Sequence, residues 1–224
     1  MGETVTLTAA DGHQFAAYRA DPDGEAKGAI VVIQEIFGVN GHIRNVVDGF
    51  AADGYVAISP GIFDRFQAGV DLGYEDGDKT IGRGLKDQGN DHLDLVMADV
   101  RATYDAVAST GKVGIVGYCW GGFVAWAAGC RLDFDAAIGY YGGGILSLNH
   151  EAPKCPAILH FGKHDQSIPM DDVDAISEAH PDVPVYIYDA GHGFNCDHRP
   201  EFNQEASTMA LTRTLDFFAK NLGS

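Results

Sequence analysis

Continuous apolar runs recur along the chain at residues 29–33, 55–58, 113–116, 136–141, 156–161 and 185–188. Runs this short and unbroken predict strands buried on both faces of a sheet. Between them lie segments with helical periodicity. Residues 41–53, 91–108, 123–128, 170–180 and 201–221 read as helices; Leu95, Val96, Val100, Tyr104 and Val107 form the clearest stripe. Near the start, residues 4–8 and 13–19 alternate around Asp11-Gly12, which predicts a hairpin. Residues 62–89 are rich in Gly and Asp and have no clear period. They read as a surface excursion, a short helix plus loops, that helps wall a site. Strand alternating with helix predicts an α/β fold with a mostly parallel sheet and helices on both faces. No linker, repeat or low-complexity tract interrupts it, so residues 1–224 are expected to form one domain.

Composition narrows the partners. Apolar residues make up 46 % of the 224, enough for a sizeable core. A net charge of −17 argues against nucleic acid, whose phosphates need Lys and Arg, and against anionic membranes. Four cysteines (Cys119, Cys130, Cys155, Cys196) are scattered without C-x-x-C spacing, as expected of reduced thiols. No signal-peptide pattern and no apolar run near the ~20 residues of a membrane span are visible. The expectation is a cytoplasmic enzyme acting on a small molecule, monomeric or weakly homo-oligomeric.

Candidate chemistry gathers just past the strands. Gly117-Tyr118-Cys119-Trp120-Gly121-Gly122 follows one apolar run and leads into a helical segment. Gly-x-nucleophile-x-Gly between a strand and a helix is the nucleophile elbow, where flanking glycines relieve a crowded turn. The nucleophile position holds Cys119, which points to a thiol-dependent hydrolase; the plainer reading is a tight turn with a buried cysteine. Asp165 follows the strand at 156–161, and His192 follows the strand at 185–188. Nucleophile, acid, histidine is the chain order of α/β-hydrolases. An imidazole takes the thiol proton and then stabilises the thiolate, while an aspartate fixes its tautomer and orientation. Asp189 is a second candidate acid, and His164 is a neighbour of the first.

Gln34-Glu35-Ile36-Phe37-Gly38-Val39-Asn40 follows the strand at 29–33. In an α/β-hydrolase this loop lies beside the elbow, so the backbone amides of Ile36 and Trp120 are the expected oxyanion-hole donors. Glu35 is unusual there, because a carboxylate beside a catalytic thiol would hold its proton.

Together these motifs resemble the dienelactone hydrolase (carboxymethylenebutenolidase) family, from about residue 5 to residue 221. The matching pieces are residues 34–40, residues 112–122, Gly139-Tyr140-Tyr141-Gly142, Asp165 and Ala190-Gly191-His192-Gly193-Phe194. The resemblance implies an α/β-hydrolase fold, a Cys119-His192-Asp165 triad and no metal or organic cofactor. It implies that Glu35 holds the thiol until substrate frees it to pair with His192. The implied reaction is hydrolysis of dienelactone to maleylacetate through a thioester. Arginines hold the substrate carboxylate in the family, and Arg83 and Arg199 are the matching candidates here. Tyr140 matches a tyrosine near the substrate. Gly193 departs from the serine of well-known members, and Cys196 stands where the second arginine is expected.

Three other readings remain at this stage. A broad carboxylesterase or thioesterase would use the same triad without needing an anionic substrate. His192, Cys196 and His198, with Asp197 between, have a spacing that suits zinc, although no second motif completes four ligands. A non-catalytic fold relative would act as a binding module.

Overall fold

A computed structural model describes residues 1–223 and contains one eight-stranded sheet. In chain order its elements are β1 (Glu3–Thr8), β2 (Gln14–Ala20), β3 (Ala29–Ile33), α1 (Gly41–Ala52), β4 (Val56–Pro60), α2 (Asp76–Asp91), α3 (Leu93–Val107), β5 (Val113–Tyr118), α4 (Trp120–Arg131), β6 (Ala136–Tyr140), β7 (Ala157–Gly162), α5 (Met170–Ala179), β8 (Val185–Tyr188) and α6 (Gln204–Leu222). The strand order is β1-β2-β4-β3-β5-β6-β7-β8. Strands β3 to β8 pair in parallel, and β2 runs against both of its neighbours. The predicted hairpin is therefore the β1–β2 ribbon, joined across Thr8 and Gln14.

Every residue of β3, β4, β5, β6 and β7 is buried, which is why these strands read as unbroken apolar runs. Helices cover both faces. On β5, a side chain at Gly114 would strike Phe218 and Leu222 of α6, and one at Gly117 would strike the carbonyl of Gly121 in α4. Side chains three apart on a strand point to opposite faces, so α4 and α6 lie on opposite sides. α1 joins α6, where Phe50 and Phe218 meet edge to face at 6.0 Å. No helix among the described residues is long and apolar enough to cross a membrane.

The main departure from the sequence reading is α2. Residues 62–89 contain loops, as expected, but their second half begins a 16-residue helix that runs to Asp91. Its start is a capping box between Glu75 and Asp78. Its buried face is Gly82, Leu85 and Gly89, a helical stripe made mostly of glycine. Hydrophobic periodicity cannot register such a stripe, because glycine adds no side chain to count.

The loop before α2 is anchored by a buried ion pair. Arg65 Nε and Nη2 donate to the Asp99 carboxylate at 2.7 and 2.8 Å, and Asp99 on α3 is 0 % exposed. Arg65 also reaches Asp11 at 2.7 Å. Removing one partner of a buried pair strands the other charge, at a cost of about 3–5 kcal/mol. Asp99→Ala is accordingly expected to lower the urea midpoint by that equivalent. An unchanged midpoint would show that Asp11, 2.7 Å away, is enough to compensate Arg65.

Candidate active site

The elbow is as tight as the glycines imply. β5 ends at Tyr118 and α4 begins at Trp120, so Cys119 alone makes the turn. It sits at φ 56, in the left-handed region that side chains rarely adopt. A Cβ on Gly121 would run into the carbonyls of Gln34 and Ile33, and one on Gly122 would stand 2.8 Å from the Tyr140 carbonyl. The Cys119 amide donates to that same Tyr140 carbonyl at 3.0 Å, tying the turn to β6. The sulfur therefore stands at the N-terminus of a 12-residue helix, whose dipole presents partial positive charge to it.

Loops after β7 and β8 complete the group, at the carboxyl edge of the sheet where α/β folds collect function. His192 Nε2 lies 3.1 Å from Cys119 Sγ. His192 Nδ1 donates to Asp165 Oδ2 at 2.6 Å. The other oxygen of Asp165 accepts from the amides of Ser167 and Ile168, at 2.7 and 3.2 Å, so the carboxylate cannot swing away. Burial disfavours a charge on His192, but the Cys119 sulfur and the Asp165 carboxylate outweigh it and hold the ring up at about 10. Asp189, the other candidate acid, points outward and pairs with His164 at 2.6 Å.

The 34–40 loop is pinned from outside. Gly38 adopts φ +80, and a Cβ there would collide with the Val70 carbonyl. Asn40 caps α1 by accepting from the Ile43 amide, and its side-chain amide donates to the Leu72 carbonyl and the Tyr74 hydroxyl. The residues around Gly38 and Asn40 are thus what hold Glu35 and Ile36 beside the elbow.

Glu35 is 1 % exposed and its Oε1 lies 3.5 Å from Arg199 Nη1. The contact with the thiol that the resemblance implies is absent. The sulfur faces His192, and the buried carboxylate takes the nearest cation instead, as a buried charge must. Arg199 reaches this position across Gly193, where a Cβ would stand 2.6 Å from the guanidinium. The glycine at that position and the arginine seven residues after His192 therefore fit together as a pair.

A cavity of about 510 Å³ opens over the sulfur. Ile36, Cys119, Trp120 and His192 line its floor. Arg199 and Arg83, the two candidate carboxylate binders, also line it, as do Lys79 and Lys86, which periodicity gave no reason to single out. The Trp120 side chain turns away, stacking on Phe63 at 5.1 Å and donating to Asn90.

Tyr140 needs correction. It is buried, its hydroxyl meets Thr214 Oγ1 at 2.7 Å, and it does not line the cavity. The next residue, Tyr141, is also buried and outside the cavity lining, and its ring meets His192 edge on at 5.2 Å. Tyr141 and Cys119 are the only non-glycine residues with positive φ among the described residues.

The zinc-like spacing does not produce a ligand cluster. His192 is engaged by Cys119 and Asp165, and the Cys196 thiol donates to the Tyr74 hydroxyl at 3.2 Å. Among the described residues, no three His, Cys, Asp or Glu side chains converge on a point where a metal could bind.

Comparison with known proteins places the chain in a family. The model of the "Dienelactone hydrolase family" matches residues 15–222. A Synechocystis sp. protein provisionally named carboxymethylenebutenolidase is 35 % identical, over 93 % of this chain and 93 % of its own. The carboxymethylenebutenolidase of Pseudomonas putida is 32 % identical, over 98 % of this chain and 97 % of its own. The crystal structure of a Klebsiella pneumoniae protein provisionally named dienelactone hydrolase superposes with a TM-score of 0.83 at 25 % identity, covering 98 % of this chain and 99 % of that one.

Proposed function

This chain belongs to the dienelactone hydrolase family, and from that premise we propose a cysteine-dependent lactone hydrolase that opens dienelactone to maleylacetate. The observation that carries the proposal is the unbroken line from sulfur to imidazole to carboxylate, with steps of 3.1 and 2.6 Å.

Cys119 Sγ attacks the ring carbonyl carbon as a thiolate, its proton held on His192. Negative charge develops on the carbonyl oxygen, where the amides of Ile36 and Trp120 are the donors at hand. The ring C–O bond then breaks. Its electron pair leaves on an enolate, a good leaving group that takes the proton held on His192 and so returns the ring to its neutral form. A water, deprotonated by His192, attacks the thioester carbon; the C–S bond breaks and the thiol side returns to its starting state. Asp165 keeps the imidazole oriented and its positive charge compensated throughout. Arg199, beside the sulfur, receives the substrate carboxylate, and Glu35 sets where that guanidinium waits.

The test is turnover of dienelactone beside neutral p-nitrophenyl acetate, in wild type and in Arg199→Met. The lactone is expected to be preferred in kcat/KM by roughly 10²-fold, since a charged group recognised in a partly dry site is worth about 2–3 kcal/mol. That preference should fall in the variant. Turnover of the neutral ester alone would instead identify a broad carboxylesterase or thioesterase built on the same triad.

A further inference from the structure

We propose that Gly143 determines specificity: the space left by its missing side chain, continued at Gly191, receives an uncharged leaving-side group larger than the ring of dienelactone. The assignment of that side to the leaving group rests on the thiol-hydrolase reading of the same site; the pocket itself does not.

Most glycines near the sulfur are required by the backbone. A Cβ on Gly121, Gly122 or Gly162 would strike a main-chain carbonyl, and Gly144 and Gly193 adopt φ +105 and +81. Gly143 and Gly191 differ, since neither has positive φ. Beyond its chain neighbours, a Cβ on Gly143 would meet only Ile168, at 3.8 Å, in ordinary van der Waals contact. One on Gly191 would come no closer than 4.0 Å to the His164 carbonyl. Both positions have room and backbone for a side chain, and both line the cavity over Cys119. Their glycines therefore leave volume free in the site rather than relieve a turn.

Topology says which part of the substrate lies there. In the sheet, β3 stands on one side of β5, and β6, β7 and β8 stand on the other. Ile36 follows β3, whereas Gly143, Asp165 and Gly191-His192 follow β6, β7 and β8. Arg199 reaches back to Glu35, after β3, so the substrate carboxylate belongs to that side. His192 hands its proton to the leaving oxygen, so the group which that oxygen carries lies on the β6–β8 side. Between residues 143 and 192 the lining holds no carboxylate, lysine or arginine, and His164 is taken by Asp189 at 2.6 Å. An uncharged group suits such a wall. The cavity, about 510 Å³, lies within the ~300–1,000 Å³ of sites for drug-sized ligands, more than one lactone ring requires. The fitting class is an ester or lactone with one carboxylate on the Arg199 side and a second ring or branched apolar group on the leaving side.

The experiment compares kcat/KM for phenyl acetate and 2-naphthyl acetate. Both pass through the same acetyl thioester, and their leaving groups are similar in basicity, so the ratio reads the leaving-side space. Wild type is expected to favour the naphthyl ester roughly tenfold, because one more fused ring leaves water. In Gly143→Leu the ratio should fall to one or below, because the new side chain fills the space, and Gly191→Ala should lower it part of the way. Because the readout is a ratio within each enzyme, a general loss of activity cannot imitate it. A wild-type ratio near one, or a ratio that survives Gly143→Leu, overturns the proposal. Binding to Cys119→Ala separates the two readings without turnover: 2-naphthol should bind about tenfold tighter than phenol, and adding Gly143→Leu should abolish that preference. The same pattern with no hydrolysis of either ester by wild type would sink the hydrolase reading and keep the pocket. Equal binding of the two alcohols, or a preference that Gly143→Leu leaves intact, would sink the pocket whatever the chemistry.

Discussion

Cys119→Ala is expected to reduce hydrolysis of dienelactone and of p-nitrophenyl acetate by about 10⁴–10⁶-fold, the scale seen when a covalent nucleophile is removed. The fold should survive. The elbow is built from Gly117, Gly121 and Gly122 and from the amide bond to the Tyr140 carbonyl, none of which involves the sulfur. A urea midpoint within about 1 kcal/mol of wild type would separate chemistry from stability. A thiol reagent gives an independent reading. Burial pushes Cys130, Cys155 and Cys196 up to about 12, 11 and 12, so near neutral pH they are poor nucleophiles. Wild type should show one fast-reacting thiol and the variant none. Normal turnover by Cys119→Ala would end the thiol mechanism.

Asp165→Asn should have the next largest effect, a loss in kcat of roughly 10⁴-fold, because an amide favours the wrong imidazole tautomer. It should also move the pH profile in a defined direction. His192 is held at about 10, above the ~6.5 of an ordinary histidine, and Asp165 contributes to that rise. Activity that needs the imidazolium is present below this value and is lost as pH climbs through it. Removing the carboxylate lowers the value, so the alkaline limb should shift to lower pH in the variant. The limb belongs to the sulfur–imidazole pair as a whole. Stability follows the same sign. A histidine raised on folding stabilises fully below about 6.5, and the contribution disappears as pH rises through about 10. Urea midpoints in wild type should therefore decline across that window and decline less in Asp165→Asn. An alkaline limb that stays in place would remove Asp165 from its assigned role.

How much of this was legible beforehand depended on which residues carry a signal. The inner strands announce themselves, because a strand buried on both faces has no polar positions to break the run, as in Ala29–Ile33. The three central site residues were found because chemistry in this fold collects just past strand ends, and Cys119, Asp165 and His192 each follow one. α2 was read only as a short helix without bounds, because its packing face is Gly82 and Gly89 with a single leucine. Tyr140 was expected beside the substrate, but it is buried against Thr214, and it is Tyr141 that meets His192. Neighbouring positions at a strand end point to opposite sides, and nothing in a Tyr-Tyr pair says which of them the turn will rotate toward the site. The Glu35 contact lay beyond reach for another reason. Whether a buried carboxylate meets a thiol or a guanidinium depends on Arg199 arriving from a loop 164 residues away, past a glycine at positive φ.

The glycine face of α2 has one more implication. A side chain at Gly82 would collide with the Ile36 carbonyl, and one at Gly89 would stand 2.6 Å from the Trp120 ring. The helix that carries Lys79, Arg83 and Lys86 thus leans, along the neighbouring stripe of Gly82 and Gly89, on Ile36 and Trp120, the two residues proposed as oxyanion donors. The glycine stripe tolerates no added atom, while the side chains beside it at residues 79, 83 and 86 reach the cavity. A side chain introduced at Gly82 or Gly89 is therefore expected to displace Ile36 or Trp120 and lower hydrolysis while leaving Cys119, His192 and Asp165 in contact.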